Sequence, residues 1–259
     1  MKEADPVKPP TLRVMTYNVH GCVGTDGALD ESRIAAIIAE AAPDVVALQE
    51  LDVERRRSRG LHQARHLADT LKMDFHFHPA VTQMSEQYGD AILSRLPMTL
   101  LHQGMLPTSS SRLAFEPRGA ILVQIDVQGQ PVNVLNTHLG LSWSERLAQV
   151  TALLGPDWMD GSIRTHPFVL CGDLNAFPGS LVYRTITRRL KDVQRWTLRS
   201  RPRSTFPSRW PVTRLDYIFM NSRLQAHKVE VLNSRETQIA SDHLPLVADL
   251  VICPEAEAM

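Results

Sequence analysis

The chain has 259 residues, 43% hydrophobic and 22% charged, with 28 basic and 28 acidic side chains and no formal net charge. Such a length and balance fit one large α/β domain or two small ones with a sizeable core. Neutrality argues against holding long nucleic acid through many phosphate contacts, and no apolar stretch reaches the roughly 20 residues of a membrane span.

Residues 1–10 are polar and proline-rich, without the apolar segment of a secretory leader, and 253–259 are acidic; both read as tails of one domain over 11–252. A cytoplasmic location is expected. "TLRVMTYNV" (11–19) predicts a strand. "DESRIAAIIAEAA" follows as a helix, with Asp30 as its N-cap and Ile34, Ile37, Ile38 and Ala41 on one face. "DVVALQE" is a short buried strand, and 61–72 is helical. "DFHFHPAV", "DAILSR", "GAILVQIDV" and "PVNVLNTHL" are strands, the last two joined by a hairpin turn at Gly129. Helices at 144–154 and 179–190 and strands at 167–172, 215–220, 226–232 and 244–251 complete the series. Strands outnumber helices and the hairpin requires antiparallel pairing. The expected class is α/β (α+β): two mixed, mainly antiparallel sheets packed face to face with helices outside.

Several motifs have bland readings. The cysteines, Cys22, Cys171 and Cys253, are odd in number and lack metal-type spacing. His62 and His66 stand i,i+4 on a helix, but no H-E-x-x-H glutamate accompanies them. Trp143, Trp158, Trp196 and Trp210 read as core packing before they read as a substrate wall. Between Arg184 and Arg214 ten basic residues meet a single acid, Asp192. That run is either a solvated face or a source of phosphate attraction.

The chemistry sits at strand ends. Four apolar runs terminate in Asn18, in Glu50, in Asn136 and His138, and in Asp173 and Asn175, while Asp216 and Asp242-His243 open two later runs. If the later strands run antiparallel to the earlier ones, all these groups meet at one rim. A single Asp or Asn after a strand is an ordinary turn residue; six such placements together point to a site. Carboxylates crowded there repel unless a cation joins them, and oxygen donors favour Mg²⁺ or Mn²⁺ over zinc. The chemistry is that of metal-assisted hydrolysis of a phosphate ester.

In order along nearly the whole chain, "TYNVHG", "ALQE", "YGDAILSR", "NTHL", "GDLNAFP", "RLDYIF" and "SDHLPL" resemble the endonuclease/exonuclease/phosphatase superfamily, which includes apurinic/apyrimidinic endonuclease, pancreatic deoxyribonuclease, neutral sphingomyelinases and inositol polyphosphate 5-phosphatases. "TYNVHGC", the arginines after "QE" and "TFPS" are similar to compact bacterial members. The resemblance implies a four-layer α/β sandwich. It implies Glu50 as the principal Mg²⁺ ligand, with Asn18 beside it and Asp242 completing the metal site. It assigns His243, oriented by Asp216, to the scissile phosphate or to general-base work. Asp173 and Asn175 would position the attacking water, and His138 would donate to the phosphate or the leaving oxygen. Arg118, Tyr88 and Asn136 are the expected substrate contacts. Asp90 departs from the family's "GNAILS"; it would either pair with His138 and raise its pKa or simply add charge. The favoured substrate is a small or lipid-derived phosphodiester or phosphomonoester. A DNA endonuclease or exonuclease is the alternative, and a catalytically silent binding module is the weakest reading. The oligomeric state is not legible.

Overall fold

The structure, a computed structural model, describes residues 9–108, 116–159, 166–197 and 201–253. The first part of the chain forms β1 (Thr11–Asn18), α1 (Glu31–Ala41), β2 (Val45–Val53), α2 (Gln63–Leu71), β3 (Asp74–Gln83) and β4 (Glu86–Ser94). Then come β5 (Met98–Met105), β6 (Gly119–Val127), β7 (Gln130–His138), α3 (Trp143–Leu153), β8 (Phe168–Asp173) and α4 (Leu181–Thr187). The last part contributes β9 (Lys191–Asp192), α5 (Val193–Trp196), β10 (Asp216–Met220), β11 (Leu224–Val231), α6 (Arg235–Ala240) and β12 (Leu246–Ile252).

The strands form two six-stranded sheets, ordered β11-β12-β1-β2-β4-β3 and β5-β6-β7-β8-β10-β9. Each has one parallel pair, β1 with β2 and β7 with β8, and the other neighbours are antiparallel. Both parallel pairs are joined through a helix, α1 and α3, because a parallel neighbour needs a crossover that returns the chain to the same end of the sheet. Asp30 caps α1 as expected, accepting from the Ser32 amide. The turn between β6 and β7 runs through Gln128 and Gly129, both at positive φ (56° and 83°), a backbone that favours glycine at the second position.

Three apolar layers hold the sandwich. Between the sheets, Val14, Val45 and Ile92 meet Val123, Val134, Val169 and Ile218. Outside the first sheet, Tyr17, Val46 and Leu48 pack on Ile34, Ile38 and Leu67. Outside the second, Leu135 and Leu170 pack on Val150, Leu153, Val182 and Ile186. Sheets covered on both faces require strands that are apolar almost throughout, so the central ones read as continuous runs. The expected four-layer architecture is what the chain adopts.

Four elements escape the sequence reading. β5 "MTLLHQGM" is a half-exposed edge strand with polar interruptions, and β9, α5 and α6 are two, four and six residues long. The tryptophans also depart from expectation. Only Trp158 among them is buried, while Trp143, Trp196 and Trp210 are exposed. The basic run is dispersed: Arg214 is buried on Asp192 at 2.7 Å, Lys191 lies over Trp196, and Arg209 reaches Thr25. His62 caps α2, accepting from the Arg65 amide, and lies against the rings of Phe75 and Phe77.

Candidate active site

Strand direction assembles the rim. β1, β2, β7 and β8 end on the same side, and the antiparallel β10 and β12 begin there, with Asp216 opposite Asp173 across the β8–β10 ladder. Local irregularities then aim the side chains. A bulge between Leu48 and Leu51 puts Glu50 at φ 63°, turning its carboxylate out of the strand. In β8, Gly172 adopts φ 140°, and a Cβ there would lie 1.8 Å from the Thr137 carbonyl oxygen. Glycine is therefore required directly before Asp173.

Asp173 is the hub. Its Oδ2 accepts from Asn18 Nδ2 at 3.1 Å and lies 3.5 Å from His138 Nε2 and 3.6 Å from His243 Nε2. Its Oδ1 accepts from the Asn175 amide at 2.8 Å. The other side of His243 is held by Asp216, 2.9 Å from Nδ1, and its ring lies against Phe206 at 4.8 Å between centroids. Thr205 accepts from the amides of Leu215 and Asp216, fixing the strand start. Burial would push His243 down, but Asp216 and then Asp173 outweigh it and raise it to about 10. Burial lifts Asp173 to about 7, against the pull of His243 and with the help of Asp216. At neutral pH His243 is thus a donor, and Asp173 sits where a proton can be gained or lost.

His138 is the opposite case. Burial, with Arg118 next, pushes it down to about 3, so it is neutral. The Arg118 guanidinium donates to Nδ1 at 3.3 Å, and Nε2 faces Asp173 Oδ2 at 3.5 Å. Asn175 Nδ2 lies 3.0 Å from that nitrogen, oriented by its bond to the Leu139 carbonyl. Of the two readings of Asp90, the one that raises His138 is not met, since burial and Arg118 lower that ring. Asp90 instead accepts from the Glu50 amide at 3.4 Å, and burial, opposed by Arg118, raises it to about 7. An acid at this position supports the Glu50 bulge.

The three expected substrate contacts separate. Arg118 stays beside His138, also paired with Glu116 at 3.1 Å. Tyr88 is buried under the guanidinium groups of Arg55 and Arg57, 5.2 and 5.4 Å from its ring centre. Asn136 is fully buried; it donates to the carbonyls of Leu48 and Ala91 and accepts from Gln49. Those bonds tie the two sheets together and leave no polar atom of Asn136 at the rim, so the strand-end pattern overreached there.

One residue of the cleft was not singled out in advance. His20, at φ 49°, holds Nδ1 3.4 Å from Glu50 Oε2 and 3.7 Å from Asp242 Oδ1. Its hydrogen bond to Glu50 raises its pKa. Its signal was its place in "TYNVHG", two residues after Asn18.

The donor set suits a hard cation. Oxygens of Glu50 and Asp242 both approach His20 Nδ1, at 3.4 and 3.7 Å, and Asn18 donates to Glu50 Oε1 at 2.9 Å. Burial would raise Glu50, but His20, His138 and Asn18 hold it well below the usual carboxylate range, so it is ionised. Ligand atoms of Asp173, Asp216 and His243 also lie within 4.8 Å of one another. They are a poorer cation site, because His243 Nδ1 is spent on Asp216 and the imidazolium itself supplies the positive charge.

The model of the Endonuclease/Exonuclease/phosphatase family matches residues 15–243. A crystal structure of an endonuclease/exonuclease/phosphatase from Beutenbergia cavernae is 27% identical, with a TM-score of 0.79, over 96% of this chain and 73% of that one. The uncharacterized protein YbhP of Escherichia coli K12 is 25% identical over 93% of this chain and 96% of its own length. The mannosyl-6-phosphatase of Bacteroides thetaiotaomicron shares the fold at 20% identity and a TM-score of 0.76, over 93% of this chain and all of that one. The fold and the site define a hydrolase of phosphate esters. This chain belongs to the Endonuclease/Exonuclease/phosphatase family.

Proposed function

We propose that the protein is a divalent-metal-dependent phosphoesterase acting on a phosphodiester or phosphomonoester of a small or lipid-derived molecule. The observation that carries this is the contact of two devices at one rim: an ionised Glu50 with Asp242 and Asn18, and the Asp216–His243–Asp173 chain. Glu50, Asp242 and Asn18 would hold Mg²⁺ or Mn²⁺, which when bound neutralises charge on phosphate oxygens. His243, cationic and fixed by Asp216, donates Nε2–H toward a phosphoryl oxygen. Asp173, poised near neutrality, takes the proton of the attacking water, with Asn175 and Asn18 fixing its carboxylate. His138 faces the same group through Nε2, and Arg118 supplies a fixed positive charge behind it.

The test is hydrolysis of bis-p-nitrophenyl phosphate with Mg²⁺, with and without EDTA. Glu50→Gln and His243→Ala are each expected to lower kcat by roughly 10²–10⁴-fold. Undiminished turnover in both variants, or in EDTA, overturns the reading. A supercoiled plasmid cleaved far faster than any small ester would turn the assignment to a nuclease.

A further inference from the structure

Three consecutive residues just past β1, His20, Gly21 and Cys22, take φ of 49°, 61° and 59°. Two of them carry a Cβ, for which a left-handed backbone is costly, so the surroundings must hold this turn in place. The turn swings His20 into the cleft, with Nδ1 3.4 Å from Glu50 Oε2 and 3.7 Å from Asp242 Oδ1. On the cleft side, Asn18 Oδ1 accepts from the His20 amide at 3.1 Å. The other restraint comes from behind.

Gln63, the first residue of α2, is fully buried. Its Nε2 donates to the Gly21 carbonyl at 2.7 Å and to Glu31 Oε1, in the first turn of α1, at 3.1 Å. Its Oε1 accepts from the Asp52 amide at 2.8 Å. β1 leaves β2 after Asn18 pairs with Gln49, so past the Glu50 bulge β2 keeps β4 as its strand partner but has lost β1. At Asp52, two residues beyond Glu50, the Gln63 side chain stands in for the missing strand. The Asp52 carboxylate, paired with Arg57 at 2.8 Å, lies against Gly21, where an added Cβ would be 3.7 Å from Oδ2. One buried amide thus joins the strained turn, the bulged strand and two helices. An apolar side chain of similar volume would fill the space and leave each of these polar groups without its partner.

We infer that Gln63 is a positioning residue for the cleft: it locks the left-handed turn that carries His20 to the strand that carries Glu50, and so fixes the spacing of imidazole and carboxylate. It touches no reacting atom. That this spacing serves a divalent cation rests on the phosphoesterase reading; the lock itself does not.

The experiment titrates the full chain with Mn²⁺, following the free ion by electron paramagnetic resonance, and measures residue-resolved hydrogen exchange on metal-free samples. Gln63→Met is expected to bind Mn²⁺ at least roughly tenfold more weakly than the parent. It is also expected to speed exchange at the Asp52 amide and at Cys22 and Val23, whose amides close the turn on the Val19 and His20 carbonyls. Gln194→Met removes another buried amide, in α5, which exchanges two hydrogen bonds with the Arg203 backbone. That variant is expected to leave both readouts at the parental values. A folded Gln63→Met chain with parental affinity or parental exchange overturns the inference, and so does an equal loss of affinity in Gln194→Met. Should Gln63→Met fail to fold, the parent decides: exchange of Asp52, Cys22 and Val23 through one shared opening supports the lock, and independent rates overturn it. A parent that binds no Mn²⁺ refutes the metal-dependent reading, and exchange at the turn in the two variants then decides the lock alone.

Discussion

Asp216 spends one carboxylate oxygen on His243, and its other oxygen has no partner although the residue is fully buried. A buried anion so placed acts first on the imidazole and then on Asp173 beyond it. Asp216→Asn is expected to keep the fold but remove the charge that holds the ring cationic, lowering kcat by roughly 10²–10⁴-fold with little change in KM. Steady-state kinetics check this, and an unchanged kcat would make Asp216 a structural residue. At this scale much was legible in the sequence. Asn18, Glu50, His138, Asp173, Asn175, Asp216, Asp242 and His243 all stand at one rim, because each closes or opens an apolar run. Asn136 follows the same pattern yet faces the interior, since side chains alternate along a strand and a motif does not say which face its polar member takes. His20 escaped because its position depends on a left-handed backbone in a loop, which spacing does not reveal.

Among the elements, β7 and β8 are the most demanding pair. Their parallel ladder places Thr137 opposite Gly172, and the missing Cβ at Gly172 lets the strands approach. Gly172→Ala is expected to destabilise the fold by about 3 kcal/mol or more, since a backbone carbonyl must move. Gly129→Ala, in an open turn with nothing within 4 Å of the added carbon, is expected to cost only about 1 kcal/mol from its positive φ. Chemical denaturation of both variants checks the ranking, and equal losses would contradict it. The long central strands and α1 to α3 were legible because both sheet faces are buried and the helices are amphipathic. β5, β9, α5 and α6 were not, because edge strands and one-turn helices bury too little to leave a pattern.

For the whole molecule, two histidines pull stability in opposite directions with pH. His243 is raised from 6.5 to about 10 on folding, so its contribution is complete below 6.5 and is lost as pH rises toward 10. His138 is lowered from 6.5 to about 3, so its contribution is present above 6.5 and is lost as pH falls toward 3. Melting temperature in EDTA should therefore peak near neutrality, with His243→Asn flattening the alkaline limb and His138→Asn the acid one. Thermal melts between about pH 4 and about pH 9 test this; limbs unmoved by either variant would assign the dome to other groups. Two face-to-face sheets with helices outside were legible from strand number and the hairpin at Gly129, and the resemblance implied the four layers. Which strands pair was not, because register between distant segments is set by packing and leaves no local mark.

The order β11-β12-β1-β2 has a consequence for how the protein comes into being. β1 is an inner strand, and its neighbour on one side, β12, comes from the far end of the domain. Until β12 arrives, β1 exposes an unpaired edge, and the segment carrying Asp242 and His243 has nowhere to dock. A nascent or prematurely terminated chain thus lacks both the closing strand and the imidazole. Competence to hydrolyse therefore waits on β12 and on the segment that precedes it.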